Sequence, residues 1–492
     1  MNTNSCAGVA LFTLVAYGSV QAADLKPAQI AAIDLYVSTE IARQRIPGAE
    51  VGIYRDGHAI LKKGYGLANV ELSVAVTPDT LMQSGSTGKQ FVATALMQLV
   101  EQGKVRLDDS ITQYFPDAPP SWKPIKIKNL LSHTSGLSEY ESSERSRPGG
   151  EFDLRLDFSE DELVRKIEQL PIDFAVGEQW SYRNTNYVLL GALIHGVTGL
   201  PYGEYLHQKL FVPTGMNLTR IISDRDIVPH RSSGYEIQGG RLHNQQWVSA
   251  TFNSTADGAL YFNVGELEKW DRALYGSDIV KPESLKVMWT PFVLNDGHAN
   301  ADGYGFGWFV HDINGHRVIE HGGAWQGFTC GISRYVDDKI TVVVLTNLDS
   351  DHAAPEGMVH VIAGLVDPKL MPPPTPMIAD TQPQIANMVR AVMQQTLEGV
   401  DVSNYYAADA ASFYDSEAGH RFGPEQVAEL RGNLGAKWVD GPLLLVKRKP
   451  EGDGVFSTFR TGGAGNFRQV LSLTNAEGKL KFLVVLPDPD NR

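Results

Sequence analysis

Two rhythms of apolar and polar positions run along this chain. Residues 49–54 and 59–61 are short apolar runs on either side of Arg55-Asp56-Gly57, and read as two strands joined by a hairpin turn. Helical periodicity follows at 86–102, 160–170 and 186–198, and the segment FVATALMQLV (91–100) is apolar enough for a buried helix. Asn263-Val264-Gly265-Glu266 has the spacing of a capping box opening another helix. Strand signals return at 304–310, 317–320, 327–335 and 339–346. Strands at both ends with helices between them predict an α+β fold. One antiparallel sheet is built from the two termini, beside a helical insert.

The pattern then breaks. Residues 367–383 (DPKLMPPPTPMIADTQP) are proline-rich and read as a stiff extended linker. Beyond it, helices are expected near 384–398 and 424–434. Four strand-like runs follow at 443–447, 455–460, 467–473 and 480–486. This is a small α+β C-terminal domain with a meander. A chain of 492 residues exceeds what one core usually supports. The division expected is therefore 1–22, 24–366, 367–383 as linker and 384–492.

The first 22 residues read as a signal peptide. Residues 7–15 are mostly apolar, and Val20-Gln21-Ala22 offers a small-residue cleavage site, although no Lys or Arg precedes Lys26. Export to the periplasm or the medium is the expectation. No later stretch approaches the roughly 20 apolar residues of a membrane span. A net charge of −14 argues against nucleic acid as a partner and leaves a small-molecule substrate. Cleavage leaves Cys330 as the one cysteine, which excludes a disulfide within the mature chain, and its apolar neighbours read as core. The 13 histidines contain no H-E-x-x-H pattern, so neither a metal nor another cofactor is expected.

Three clusters carry the chemistry. Ser86 and Lys89 stand three residues apart, hence on one face if a helix begins at Ser86, and a lysine with a lowered pKa can take the serine proton. Tyr182 offers a phenol that nearby cations could activate, and Asn184 an amide able to accept from Lys89 and donate to a substrate carbonyl. His321-Gly322-Gly323-Ala324 lies at the junction of two expected strands, where glycines permit close approach of a ligand and Ala324 could donate its N–H to an oxyanion. Each alone could be merely structural: a helix cap, an aromatic turn, a glycine bulge.

Together and in this order the clusters resemble the penicillin-recognising serine hydrolases, particularly class C β-lactamases, D-alanyl-D-alanine carboxypeptidases and related esterases. The S-x-x-K, Y-x-N and K/H-x-G motifs stand here as Ser86/Lys89, Tyr182/Asn184 and His321/Gly323. Gly64-Tyr65-Gly66, IKIKNLLSHTSGL (125–137), Tyr304-Gly305-Phe306-Gly307-Trp308 and Leu345-Thr346-Asn347 extend the likeness over roughly 28–365. The resemblance implies a β-lactamase/transpeptidase-like fold and hydrolysis of an amide, β-lactam or ester through an acyl-enzyme. It implies Ser86 as nucleophile, Lys89 as proton acceptor, and Tyr182 as shuttle to the leaving group and later activator of water. Asn184, His321, Gly323 and Ala324 would bind substrate, with the N–H groups of Ser86 and Ala324 as the oxyanion hole. Arg183 departs from the family pattern, Gly322 stands where the resemblance implies a threonine hydroxyl for a substrate carboxylate, and His321 replaces a lysine. The C-terminal domain resembles, more weakly, the cone-shaped nuclear transport factor 2 fold. Competing readings are a penicillin sensor that stays acylated, a D-amino-acid peptidase and a dead scaffold. An α/β-hydrolase is excluded because position 84, the first glycine of G-x-S-x-G, is serine.

Overall fold

The computed structural model describes residues 25–223, 225–349, 352–373, 377–407, 442–451, 454–463 and 466–487. The signal-like segment 1–22 and the helix expected near 424–434 lie outside the described residues. Seven strands matter first: β1 (Gly48–Arg55), β2 (His58–Asn69), β3 (Val74–Ala75), β4 (Phe309–Ile313), β5 (His316–Trp325), β6 (Phe328–Tyr335) and β7 (Ile340–Thr346). They form one antiparallel sheet in the order β3-β2-β1-β7-β6-β5-β4. The two ends of the segment meet where β1 pairs with β7, Ala49 opposite Thr346 and Arg55 opposite Ile340.

Both faces of this sheet are covered. The helices that matter are α1 (Pro27–Gln44), α2 (Lys89–Glu101), α3 (Asn184–Thr198), α4 (Val264–Ala273) and α5 (Pro355–Val366). Strand alternation sends Val342 and Val344 to one face, against Ile33 and Val37 of α1 and Met358 and Ile362 of α5. Val343 and Leu345 point the other way, into the cluster that holds Phe91 and Leu96 of α2 and Leu189 of α3. Each such side chain contributes about 1.5–3 kcal/mol when fully buried. This explains why β7 reads as a continuous apolar run rather than an alternating one.

Four local expectations need correction. Ser86 does not open an α-helix: Gly85–Gly88 is a 3-10 turn, and the α-helix begins at Lys89. The strand expected at 304–310 begins only at Phe309, because Gly303 and Gly307 take positive φ and Asn300 holds both the N–H and the C=O of Tyr304. The His321–Ala324 cluster is not at a strand junction but inside β5, which runs on to Trp325. The capping box is half formed. Asn263 Oδ1 accepts from Glu266 N at 2.9 Å, but the Glu266 carboxylate turns instead to the backbone N–H groups of Leu218 and Thr219.

After the linker, α6 (Pro383–Glu398) packs on a second antiparallel sheet of β8 (Leu444–Glu451), β9 (Gly454–Gly463), β10 (Asn466–Thr474) and β11 (Leu480–Pro487), paired in that order. Its own core holds Ile385, Val389, Phe459, Val470 and Leu483. The linker is not free. Ile378 N donates to Leu445 O at 2.9 Å, and Asp380 pairs with Arg448.

A buried ion pair ties α4 to the main sheet. Arg334, on β6, donates Nε to Asp271 Oδ1 at 2.7 Å, and Thr341 Oγ1 donates to the same oxygen at 2.7 Å. Both side chains are essentially inaccessible to solvent. Removing the carboxylate strands a guanidinium in the core, so Asp271→Ala should lower unfolding free energy by about 3–5 kcal/mol. Urea denaturation of the two proteins checks this.

Candidate active site

Backbone contact at Gly85 and Gly323 builds the site. Gly85 takes φ +47, and a Cβ there would lie 2.4 Å from Ala324 N. A Cβ on Gly323 would lie 2.2 Å from Ser84 O and 2.9 Å from Ser86 N. Glycine at both positions lets β5 lie directly against the Ser86 turn, so the backbones of Ser86 and Ala324 stand side by side. β4 pairs with β5 only as far as Glu320, which leaves the following stretch of that edge without a strand partner among the described residues.

Lys89 is fully buried and its ammonium has three acceptors: Ser86 Oγ at 2.9 Å, Asn184 Oδ1 at 2.8 Å and Asp257 O at 2.8 Å. An ammonium carries three protons, so the cage is complete. Burial lowers its pKa to about 8, against the opposing pull of Asp257, Glu141 and Glu139. The sequence placed Ser86, Lys89 and Asn184 together, and the structure brings them into direct contact.

Tyr182 lies beside them, its ring centroid 4.8 Å from Lys89 Nζ. Its hydroxyl is buried next to Ser86 but makes no hydrogen bond of good geometry. Burial, with Tyr187, Asp257 and Glu139 adding to it, holds the phenol well above its usual pKa, and only Ser86 works the other way. The expectation that cations would lower it is reversed. Tyr182 is a neutral phenol, suited to giving a proton rather than taking one.

Asn184 accepts from Lys89 as expected. One hydrogen of its Nδ2 is already donated, to Glu141 Oε2 at 2.7 Å, which leaves one for a substrate. Arg183, its neighbour, turns to Asp173 at 3.2 Å. His321 departs furthest from expectation. It is 3% exposed; Nδ1–H donates to Gly322 O at 2.5 Å, and Nε2 accepts from Tyr304 O–H at 3.1 Å. Burial and then Lys89 lower its pKa to about 3, so the imidazole is neutral at every working pH. It cannot stand in electrically for lysine. A Cβ on Gly322 would meet Glu356 Oε1 at 2.4 Å, so the space beside Gly322 is filled by this carboxyl, which is exposed as a residue but set among protein atoms that desolvate it and raise its pKa to about 7.

Cys330 is structural: its thiol contacts Ser84 O and Thr87 Oγ1, and burial raises its pKa to about 12.

Several residues of the site escaped the sequence reading. His133, at φ +58, clamps the Tyr182 loop: its C=O accepts from Ser181 N at 3.0 Å, and its Nδ1 from Arg183 N at 3.3 Å. Glu139 Oε2 accepts from Asn184 N at 2.6 Å. Glu139 and Glu141 both have raised pKa values, burial first, with further carboxylates nearby. Asp257 accepts from Tyr140 O–H at 2.9 Å. The one signal was position, since the two glutamates follow His-Thr-Ser-Gly-Leu within four residues; nothing local shows that they are buried.

A cavity of about 570 Å³ opens on Ser86, Tyr182, His321, Gly323 and Ala324. A narrower recess reaches Ser86 past Glu141, Asn184, Asp257 and Trp325. No cluster of His, Cys, Asp and Glu suited to a metal ion occurs among the described residues.

The Beta-lactamase family model matches residues 33–365. The chain belongs to the Beta-lactamase family of serine hydrolases. It is 26% identical over 313 residues to penicillin-binding protein 4* of Bacillus subtilis (strain 168), covering 60% of this chain and 67% of that one. It thus spans about two thirds of that relative's length. Its fold is similar to that of the octameric penicillin-binding protein homologue from Pyrococcus abyssi, with a TM-score of 0.62 and 22% identity over 93% of this chain and 99% of that one. It is also similar to D-amino acid amidase from Ochrobactrum anthropi SV3, crystallised with L-phenylalanine amide, with a TM-score of 0.55 and 24% identity over 65% of this chain and 91% of that one.

The contact between β5 and the Ser86 turn is testable by size alone. Gly323→Ala forces a methyl group into backbone and should destabilise the protein by about 1–3 kcal/mol, the usual cost of overpacking. Gly196→Ala, where φ is not positive and a Cβ meets nothing within 4 Å, adds the same methyl group without the clash and is the control. Melting curves of both variants supply the comparison.

Proposed function

We propose that this β-lactamase-family protein hydrolyses small amides and esters through an acyl-enzyme on Ser86. The observation that carries the reading is the 2.9 Å contact of Lys89 Nζ with Ser86 Oγ in a buried site that brings the lysine pKa to about 8. Near neutral pH a useful fraction of Lys89 is then unprotonated. In that form it takes the Ser86 proton while Oγ attacks the substrate carbonyl carbon. Negative charge on the carbonyl oxygen is met by the N–H groups of Ser86 and Ala324. Tyr182, a neutral phenol, gives its proton to the leaving group and is reprotonated from Lys89. Water then attacks the acyl carbon and gives a proton to neutral Lys89; the bond to Oγ breaks, and Lys89 returns that proton to Ser86 Oγ.

Amides and esters are favoured over β-lactams by one feature. The third motif offers neither a cation, because His321 is neutral, nor a threonine hydroxyl, because Gly322 faces Glu356. The signal-like residues 1–22 support a periplasmic or secreted location. Among the described residues no helix is long and apolar enough to cross a membrane.

Ser86→Ala should abolish turnover of p-nitrophenyl esters and amino-acid amides alike, with an acyl adduct visible by intact-mass spectrometry on the wild type only. Activity above about one hundredth of wild type would overturn the assignment, because losing a nucleophile costs far more. The pH profile separates the possible bases. Because only neutral Lys89 can accept the proton, kcat/KM should rise nearly tenfold per pH unit below about 8 and level off above it. An inflection near 6.5 instead would assign the step to a histidine.

A further inference from the structure

The cavity on Ser86 is not walled by the main sheet and its helices alone. Lys447, from β8 of the second sheet, lines it together with Ser86, Tyr182, His321 and Ala324. A β-bulge puts the side chain there. Leu445 of β8 pairs with Phe459, and both belong to the core of the second unit. In a regular strand Lys447, two residues on, would point to that same core. The register shifts between Leu445 and Lys447, so Lys447 pairs with Thr458 and faces away from it. It is exposed, and it forms no ion pair among the described residues.

Among the described residues lining this cavity, Lys447 is the one lysine or arginine. Other charged groups there are engaged or acidic. Glu320 holds Ser333 Oγ at 2.6 Å and contacts His360 at 3.2 Å and His311 at 3.4 Å. Asp302 and Glu356 lie on the same lining. An anion bound there meets attraction at Lys447 and repulsion at the acids, so its position is specified as well as its charge.

We infer that Lys447 is a specificity-determining residue contributed by the C-terminal unit, holding a carboxylate on the leaving-group side of the substrate. The inference rests on the serine-hydrolase reading and deepens it. The side follows from the lining. Tyr182, which protonates the leaving group in that reading, shares this cavity with Lys447, whereas Asn184 lines the separate recess. His321 on β5 is neutral, so positive charge on this lining comes from the second sheet, outside the main fold.

The test uses two aryl esters of phenylacetic acid that differ only in the leaving group, 3-hydroxybenzoate or its methyl ester. In the full-length protein, Lys447→Gln should raise KM for the carboxylate ester about three- to tenfold and leave the neutral ester within about twofold, the scale of one partly screened ion pair. Lys447→Arg should retain most of the preference, and Lys447→Glu should penalise the carboxylate ester further. The difference between the two esters should shrink as salt is raised to about 1 M, where the Debye length falls to about 3 Å. Equal changes for both esters, or none, would overturn the inference. Ser86→Ala is measured alongside: if it still turns over the esters, the hydrolase reading has failed rather than the role of Lys447.

Discussion

One buried ammonium organises this active site. Lys89 is held by Ser86 Oγ, by the side chain of Asn184 and by the backbone of Asp257, three segments far apart in sequence. Depressing its pKa from 10.5 to about 8 means that keeping it protonated at pH 7 costs the fold about 3 kcal/mol. Large buried clusters on α2 and α3 hold the cage in place and offset that cost. The same desolvation that opposes the charge makes the neutral amine accessible at physiological pH, so the structural expense and the chemical usefulness have a single origin.

The carboxyl groups around Lys89 set how far that effect goes. Glu139, Glu141 and Asp257 each raise the lysine pKa, while burial raises those of Glu139 and Glu141. Glu139 also fixes the backbone of Asn184, and Glu141 its side chain. The acids therefore act as geometry and as electrostatics at once. On the opposite wall His321 carries no charge. His321 is sealed between Tyr304 and its own neighbour's carbonyl, and Glu356 fills the space beside Gly322. The Lys89 cage thus stands beside a wall that offers no charge from His321.

The role inferred for Lys447 brings the C-terminal unit into the site. Its first strand is bonded to the linker through Leu445 and Ile378, and a bulge immediately afterwards redirects Lys447. A one-residue irregularity in a sheet with its own core thus changes the charge of a cavity built mainly by another sheet.

Much of this was legible in the sequence because the signals are local. Apolar runs at 49–54 and 339–346 gave the two strands that join the termini, and helical periodicity gave α2 and α3. The spacing of Ser86 to Lys89 and of Tyr182 to Asn184 gave the chemical pairs, and the two glycines after His321 gave the close approach of β5. What the sequence could not give was environment. A histidine and a tyrosine have ordinary pKa values until burial and neighbours move them, and those neighbours come from distant segments: Tyr304 for His321, Glu139 and Asp257 for Tyr182. The glutamates at 139 and 141 look like surface residues in one dimension, and only packing desolvates them. The bulge before Lys447 leaves no mark in an apolar run, because it exists only in the pairing of β8 with β9. Residue type and spacing determined which groups could react; tertiary burial decided which of them carry charge, and therefore what each can do.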